Sequence, residues 1–287
     1  MDILDYAFMQ RALIAAALVG ITAPAIGTYL VQRRQALMGD GLGHVAMTGV
    51  ALGFVLQTSP VWMATLVAVV GAVGMELIRA RGRTSGDVAL AMLFYGGLAG
   101  GVMIINLGGG QTASLLGSMF GSITTVATED VTAMAILAAF VLAVAVGLRR
   151  QLFAVCQDEE FARVTGLPVR ALNLLIAVTA AVTVTVAMRI VGLLLVSAML
   201  VIPVAAAQRL TRSFATTLGL AMAISVTVSL TGTAATYYIN VPSGATIVLL
   251  AIGVFVVLTT LSAPLARRRA KAAPAVEEVC TRDDVKV

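Results

Sequence analysis

The chain has 287 residues, 60% of them hydrophobic and 11% charged, with a mean hydropathy of +1.00 and a formal net charge of +5. A soluble domain carries about a quarter charged residues, so this composition excludes one and describes an integral membrane protein. The basic residues are spread between apolar runs instead of gathered with aromatics into a patch, which excludes a nucleic-acid surface.

Met1–Asp5 carries two acids where a signal peptide would carry basic residues, so no removable leader is predicted. Apolar runs follow at roughly 8–31, 40–57, 60–78, 88–106, 130–148, 170–188, 190–208, 214–238 and 245–265. Most are close to the ~20 residues that cross ~30 Å of hydrocarbon as a helix, and no alternating strands suit a barrel. The predicted fold class is all-α: a polytopic helical membrane protein with about nine transmembrane helices.

The linkers fix the orientation. Arg33–Arg34, Arg79, Arg81, Arg83, Arg149–Arg150, Arg163, Arg170, Arg209, Arg212, Arg267–Arg269 and Lys271 fall on one side of a nine-helix threading, leaving Arg11 and Arg189 on the other. By the positive-inside rule the N-terminus is outside and the C-terminus cytoplasmic. An eight-helix count would move one basic linker across. Between 170–188 and 190–208, Ala187–Ile190 must form a very tight outer turn.

Three pieces lie outside the spans. Residues 107–129 are broken by glycine and read as an outer loop with a short amphipathic or re-entrant helix. Residues 152–170 are charged and closed by Pro168, which fits a short helix on the cytoplasmic surface. The domain assignment is one transmembrane domain over 1–266 and a disordered, mixed-charge tail over 267–287.

Several chemistries are absent. The two lysines, Lys271 and Lys286, lie in the tail and no Gly-x-x-x-x-Gly-Lys pattern occurs, so the chain is not its own P-loop ATPase. One histidine excludes a His-Glu-x-x-His hydrolase. Cys156 and Cys280 are too far apart to suggest a metal cluster. No enzyme activity and no permanently bound cofactor are expected.

The single histidine carries the functional reading. In Gly39-Asp40-Gly41-Leu42-Gly43-His44, the carboxylate and imidazole stand one helical turn apart, on the same side of a helix. Such a pair suits a borderline divalent cation such as zinc or manganese. Spacing alone serves equally for Asp40 as a helix cap and His44 as a packing residue. Arg34 lies close before Asp40, so a straight helix would leave the pair near the cytoplasmic side; a chain unwound through the glycines would set it deeper. Elsewhere, Glu76 is expected to pair with Arg79 or Arg83, Glu129–Asp130 to cap the fifth span, and Arg189 to snorkel outward.

Four separated segments resemble the membrane permease subunits of ATP-binding-cassette importers for zinc and manganese. They are Gly39–Gly53, Leu116–Ile123, Arg189–Ala207 with its Pro203, and Val241–Ala245. The resemblance implies that residues 1–266 form a permease domain and that Asp40 and His44 bind the translocating metal. Here Gly43 precedes and Val45 follows the histidine, where the family commonly has Ser-His-Ala or Ala-His-Ala. Asp158–Pro168 is similar to the family's coupling segment, which implies that Asp158, Glu159, Glu160, Ala162 and Gly166 dock on an ATPase subunit; by composition alone it reads as a solvated loop. The implied partners are two cytoplasmic ABC ATPase subunits, an extracytoplasmic metal-binding protein, a second copy of the chain and the lipid of the cell membrane. An ion- or proton-coupled secondary carrier is the alternative.

Overall fold

The computed structural model describes residues 6–81, 86–108, 126–239 and 241–271. Among them lie nine long helices: α1 (Ala7–Gln32), α2 (Met38–Val55), α3 (Pro60–Ala80), α4 (Gly86–Leu107), α5 (Thr128–Gly147), α8 (Val169–Val191), α9 (Leu193–Leu210), α10 (Phe214–Ile239) and α11 (Ser243–Lys271). Two short helices, α6 (Arg149–Gln157) and α7 (Glu159–Val164), join α5 to α8. No strand occurs among the described residues. Eight of the long helices are apolar and long enough to cross a membrane; the ninth, α2, is diluted by Asp40, His44 and five glycines.

Contacts between helix ends fix the direction of each. Arg33, Glu76, Arg79 and Glu159 meet at one end of the bundle, joining the end of α1, the end of α3 and the start of α7. At the opposite end Arg189 pairs with Asp130 at 3.3 Å, joining the end of α8 to the start of α5. Gly53 abuts Pro60, Val55 abuts Gly108, Tyr6 stacks near Tyr237, and Gly232 abuts Ile247. Phe214 lies against Tyr29 and Phe153, back at the Arg33 end. The nine helices therefore alternate in direction, and the start of α1 and the end of α11 lie at opposite ends.

α2 is closely enclosed, with 12 of its 18 residues buried, and its glycines explain how. A Cβ on Gly49 would come 2.6 Å from the Ala64 backbone of α3, and one on Gly97 of α4 2.6 Å from the Val45 backbone nitrogen. Gly39 and Gly43 leave the space that Leu200 and Leu193 of α9 occupy. Small residues in a membrane bundle permit backbone contact of this kind, which offsets their weak helix propensity.

Several expectations are corrected. The tight turn falls on Gly192, not on Ala187–Ile190: α8 runs through Val191 and α9 begins at Leu193. Gly192 takes φ 88°, a conformation glycine reaches without a Cβ clash, so a single residue reverses the chain. The segment 152–170 holds two short helices instead of one. Asp158 leaves helical geometry at φ −152°, and buried Leu152 and Val155 hold α6 against the bundle. α11 continues to Lys271, so 267–271 is helical, as its alanine, arginine and lysine favour. The outer-loop reading of 109–125, including Leu116–Ile123, and the remaining tail, 272–287 with Cys280, lie outside the described residues. Cys156 is a half-buried free thiol.

Candidate functional site

α2 is regular from Met38, so the chain does not enter unwound through its glycines, and Asp40 falls in the first turn. The helix start is Leu37, with no side-chain cap. Asp40 accepts a hydrogen bond from the Ser197 hydroxyl of α9 at 3.4 Å instead of capping. Its Oδ1 lies 3.9 Å from His44 Nε2. The imidazole is buried and packs edge-on against Phe94 of α4, ring centroids 4.4 Å apart, and its Nδ1 has no hydrogen-bond partner among the described residues. The Asp40 side chain is 35% exposed and opens into a cleft of about 410 Å³ lined by Leu37, Leu90, Ala91, Phe94 and Tyr95.

Depth follows from the Ser197 contact. α2 and α9 run in opposite directions, yet Asp40 and Ser197 both belong to the early turns of their helices. From Ser197, α9 continues ~20 Å one way, and from Asp40, α2 continues ~22 Å the other, at 1.5 Å per residue. The pair is therefore inside the bundle, not at its rim. The straight helix that would have left it near one surface is there, but its start is set inward.

Among the described residues no third His, Cys, Asp or Glu joins the pair. A carboxylate beside a partly open cleft and an imidazole one turn on can supply two donors to a cation, with Ser197 holding the carboxylate oxygen.

The segment resembling a coupling element divides by role. Asp158 Oδ1 accepts from the backbone N–H of Glu160 at 2.9 Å and of Phe161 at 3.0 Å, capping α7. Ala162 is fully buried, and Gly166, at φ 82°, ends the helix. Glu160 faces solvent together with Phe161 (64% exposed) and Val164 (86% exposed). Two apolar side chains left bare in a charged linker are a signal that residue spacing alone did not bring out.

Glu159 turns the other way. Its Oε1 accepts from Arg79 at 2.6 Å, Asn173 at 3.2 Å and Arg33 at 3.4 Å. Arg79 also donates to Glu76 from Nε at 3.1 Å and Nη2 at 2.8 Å, the pairing expected for Glu76. Burial alone would raise the Glu159 carboxyl, but the hydrogen bond and charge of Arg79, the charge of Arg33 and the Asn173 hydrogen bond outweigh it and hold the group below the usual carboxylate range. Asp130 accepts from the Ala127 N–H at 3.1 Å, closing the start of α5, and its pairing with Arg189 replaces the freely snorkelling arginine.

The profile of the ABC 3 transport family matches residues 5–262. The manganese transport system membrane protein MntC of Halalkalibacterium halodurans is 31% identical over 88% of this chain and 87% of its own length. A probable iron transport system membrane protein of Haemophilus influenzae is 31% identical over 90% of this chain and 95% of its own. Among solved structures, PsaBC from Streptococcus pneumoniae in complex with Fab aligns with a TM-score of 0.82 at 29% identity, covering 93% of this chain and 96% of that one.

Proposed function

The chain belongs to the ABC 3 transport family, and on that premise we propose that it is the membrane-spanning permease subunit of an ATP-driven importer of a divalent transition-metal ion, zinc or manganese. One observation carries the metal assignment: a carboxylate and an imidazole one turn apart, inside the bundle, with a ring nitrogen that no group among the described residues satisfies. A carboxylate and an imidazole accept manganese, zinc and ferrous iron alike, so selection rests on geometry and further donors. The relative named for manganese supports manganese as the first ion to test, and the one named for iron adds iron to the comparison.

The remaining assignments follow from charge and exposure. The end of the bundle carrying Arg33, Arg79, Arg149, Arg163 and Arg170 is cytoplasmic, and the start of α1 is outside. ATP hydrolysis belongs to separate cytoplasmic ABC subunits, which meet Glu160, Phe161 and Val164 of α7. An extracytoplasmic metal-binding protein delivers the ion at the Asp130–Arg189 end. A second copy of the chain completes the pathway against α4, where Met92, Tyr95 and Met103 are more than 60% exposed and Tyr95 lines the Asp40 cleft. A proton-coupled carrier would need a further acid in the spans besides Asp40, whereas Glu76 is committed to arginines.

The test is uptake of labelled manganese, zinc and iron by the purified complex in proteoliposomes, with and without ATP. His44→Ala is expected to cut uptake by more than about tenfold, since losing even an outer partner of a metal costs 10–100-fold. A metal ligand must be deprotonated, so native uptake should fall in acid, once the imidazole takes up a proton. ATP-driven uptake by His44→Ala equal to the native rate, or a native profile that stays flat into acid while the delivery protein stays saturated, would remove His44 from the pathway.

A further inference from the structure

The four-residue cluster of Arg33, Glu76, Arg79 and Glu159 is the densest set of buried charge among the described residues, and metal binding does not use it. The Arg33 and Glu76 side chains are 4% and 6% exposed. It joins three separate pieces of chain: the end of α1, the end of α3, and the first residue of α7. Asn173 of α8 adds a fourth. Close by, Gln32 donates to Gln157 at 2.5 Å, a second link between the end of α1 and the joint before α7.

What α1 leads into gives the cluster its meaning. Arg33 is the first residue beyond α1, and the chain then turns into α2, where Asp40 occupies the first turn. The corner is tight. Arg34 adopts φ 58°, a conformation side chains seldom take, and the backbone is closed by Gln35 N–H to Leu30 O at 2.8 Å and Met38 N–H to Gln35 O at 3.0 Å. A hydrogen-bonded corner passes displacement on, where a slack linker would absorb it. A cleft of about 540 Å³ borders Glu76, Arg79, Glu159 and Asn173, leaving room for the carboxylate to shift beside Arg79.

We infer that Glu159 is a positioning residue of the transport cycle: its carboxylate ties the ATPase-facing helix α7 through Arg33 to the α1–α2 corner, so that displacement of α7 moves Asp40. This rests on the reading of α7 as the ATPase contact. α7 is suited to the part because its two sides are chemically distinct: Glu160, Phe161 and Val164 outward, Glu159 and Ala162 inward. Without the tie, the ATPase would still engage α7, but its motion would not reach the carboxylate.

The experiment compares the whole complex, ATPase included, with E159Q, R33Q and the double variant in proteoliposomes, reading manganese uptake and ATP hydrolysis together. Each single variant should assemble and hydrolyse ATP while uptake per ATP falls by about tenfold or more, the scale of one charged hydrogen bond. The double variant should be no worse than either single, since both remove one tie. Unchanged uptake per ATP in both singles overturns the inference, and so does an equal fall in hydrolysis and uptake, which a purely structural role produces. If E159Q fails to assemble, R33Q decides by the same ratio. A native complex that shows no ATP-driven uptake defeats the permease reading itself, a result told apart by needing no variant.

Discussion

Glu159 shows how one side chain can be read wrongly by its neighbourhood in sequence. It sits among Asp158 and Glu160, and all three look alike as acids of a solvated linker, yet their roles differ. Asp158 caps α7, Glu160 faces solvent, and Glu159 is drawn inward by two guanidiniums. The inward position has a pH signature. Because its folded carboxyl lies below its unfolded value of ~4.3, Glu159 stabilises the fold fully above that value, and this contribution is lost as pH falls through the folded value. Thermal melting of native and E159Q protein in detergent should therefore differ at pH 7 and converge in strong acid. A gap of the same size at pH 7 and pH 3 would mean that the charge contributes nothing.

Among the elements, α2 depends on α4 more intimately than any side-chain list suggests. The two helices run parallel, with Gly97 against the backbone of His44 and Val45, and Thr48 donating to Gly97 O at 2.5 Å. A methyl at Gly97 has to push the helices apart at the level of the imidazole, and overpacking of this kind typically costs ~1–3 kcal/mol. At Gly96, one position away, an added methyl would meet nothing within 4 Å. G97A should accordingly lower the melting temperature and slow metal uptake, whereas G96A should match the native protein in both. Equal behaviour of the two variants would show that the close approach is dispensable.

For the whole molecule, the alternation of nine helices decides the topology. Eight meet the ordinary length and hydropathy of a span, and counting only those would place both chain ends on one side. α2 is the helix such a count misses, because Asp40, His44 and the glycines lower its hydropathy, and the histidine and glycines are enclosed by α3, α4, α8 and α9. Reporters fused ahead of α1 and behind α11 should therefore read opposite compartments, the α11 fusion cytoplasmic. Both fusions reporting the same side would exclude nine crossings.

By itself the sequence determined the membrane class, the position of every long helix to within three residues except the end of α11, and the one-turn spacing of Asp40 and His44. These are local properties: run length, hydropathy and helical periodicity need no partner to be read. Only the tertiary structure decided that the α2 start is set inward against α9, that Ser197 and Phe94 frame the pair, that Gly192 makes the α8–α9 turn, and that Glu159 belongs to Arg33 and Arg79. All but the Gly192 turn join residues far apart in the chain, and depth, enclosure and charge pairing arise when helices pack, so no stretch of sequence carries them alone.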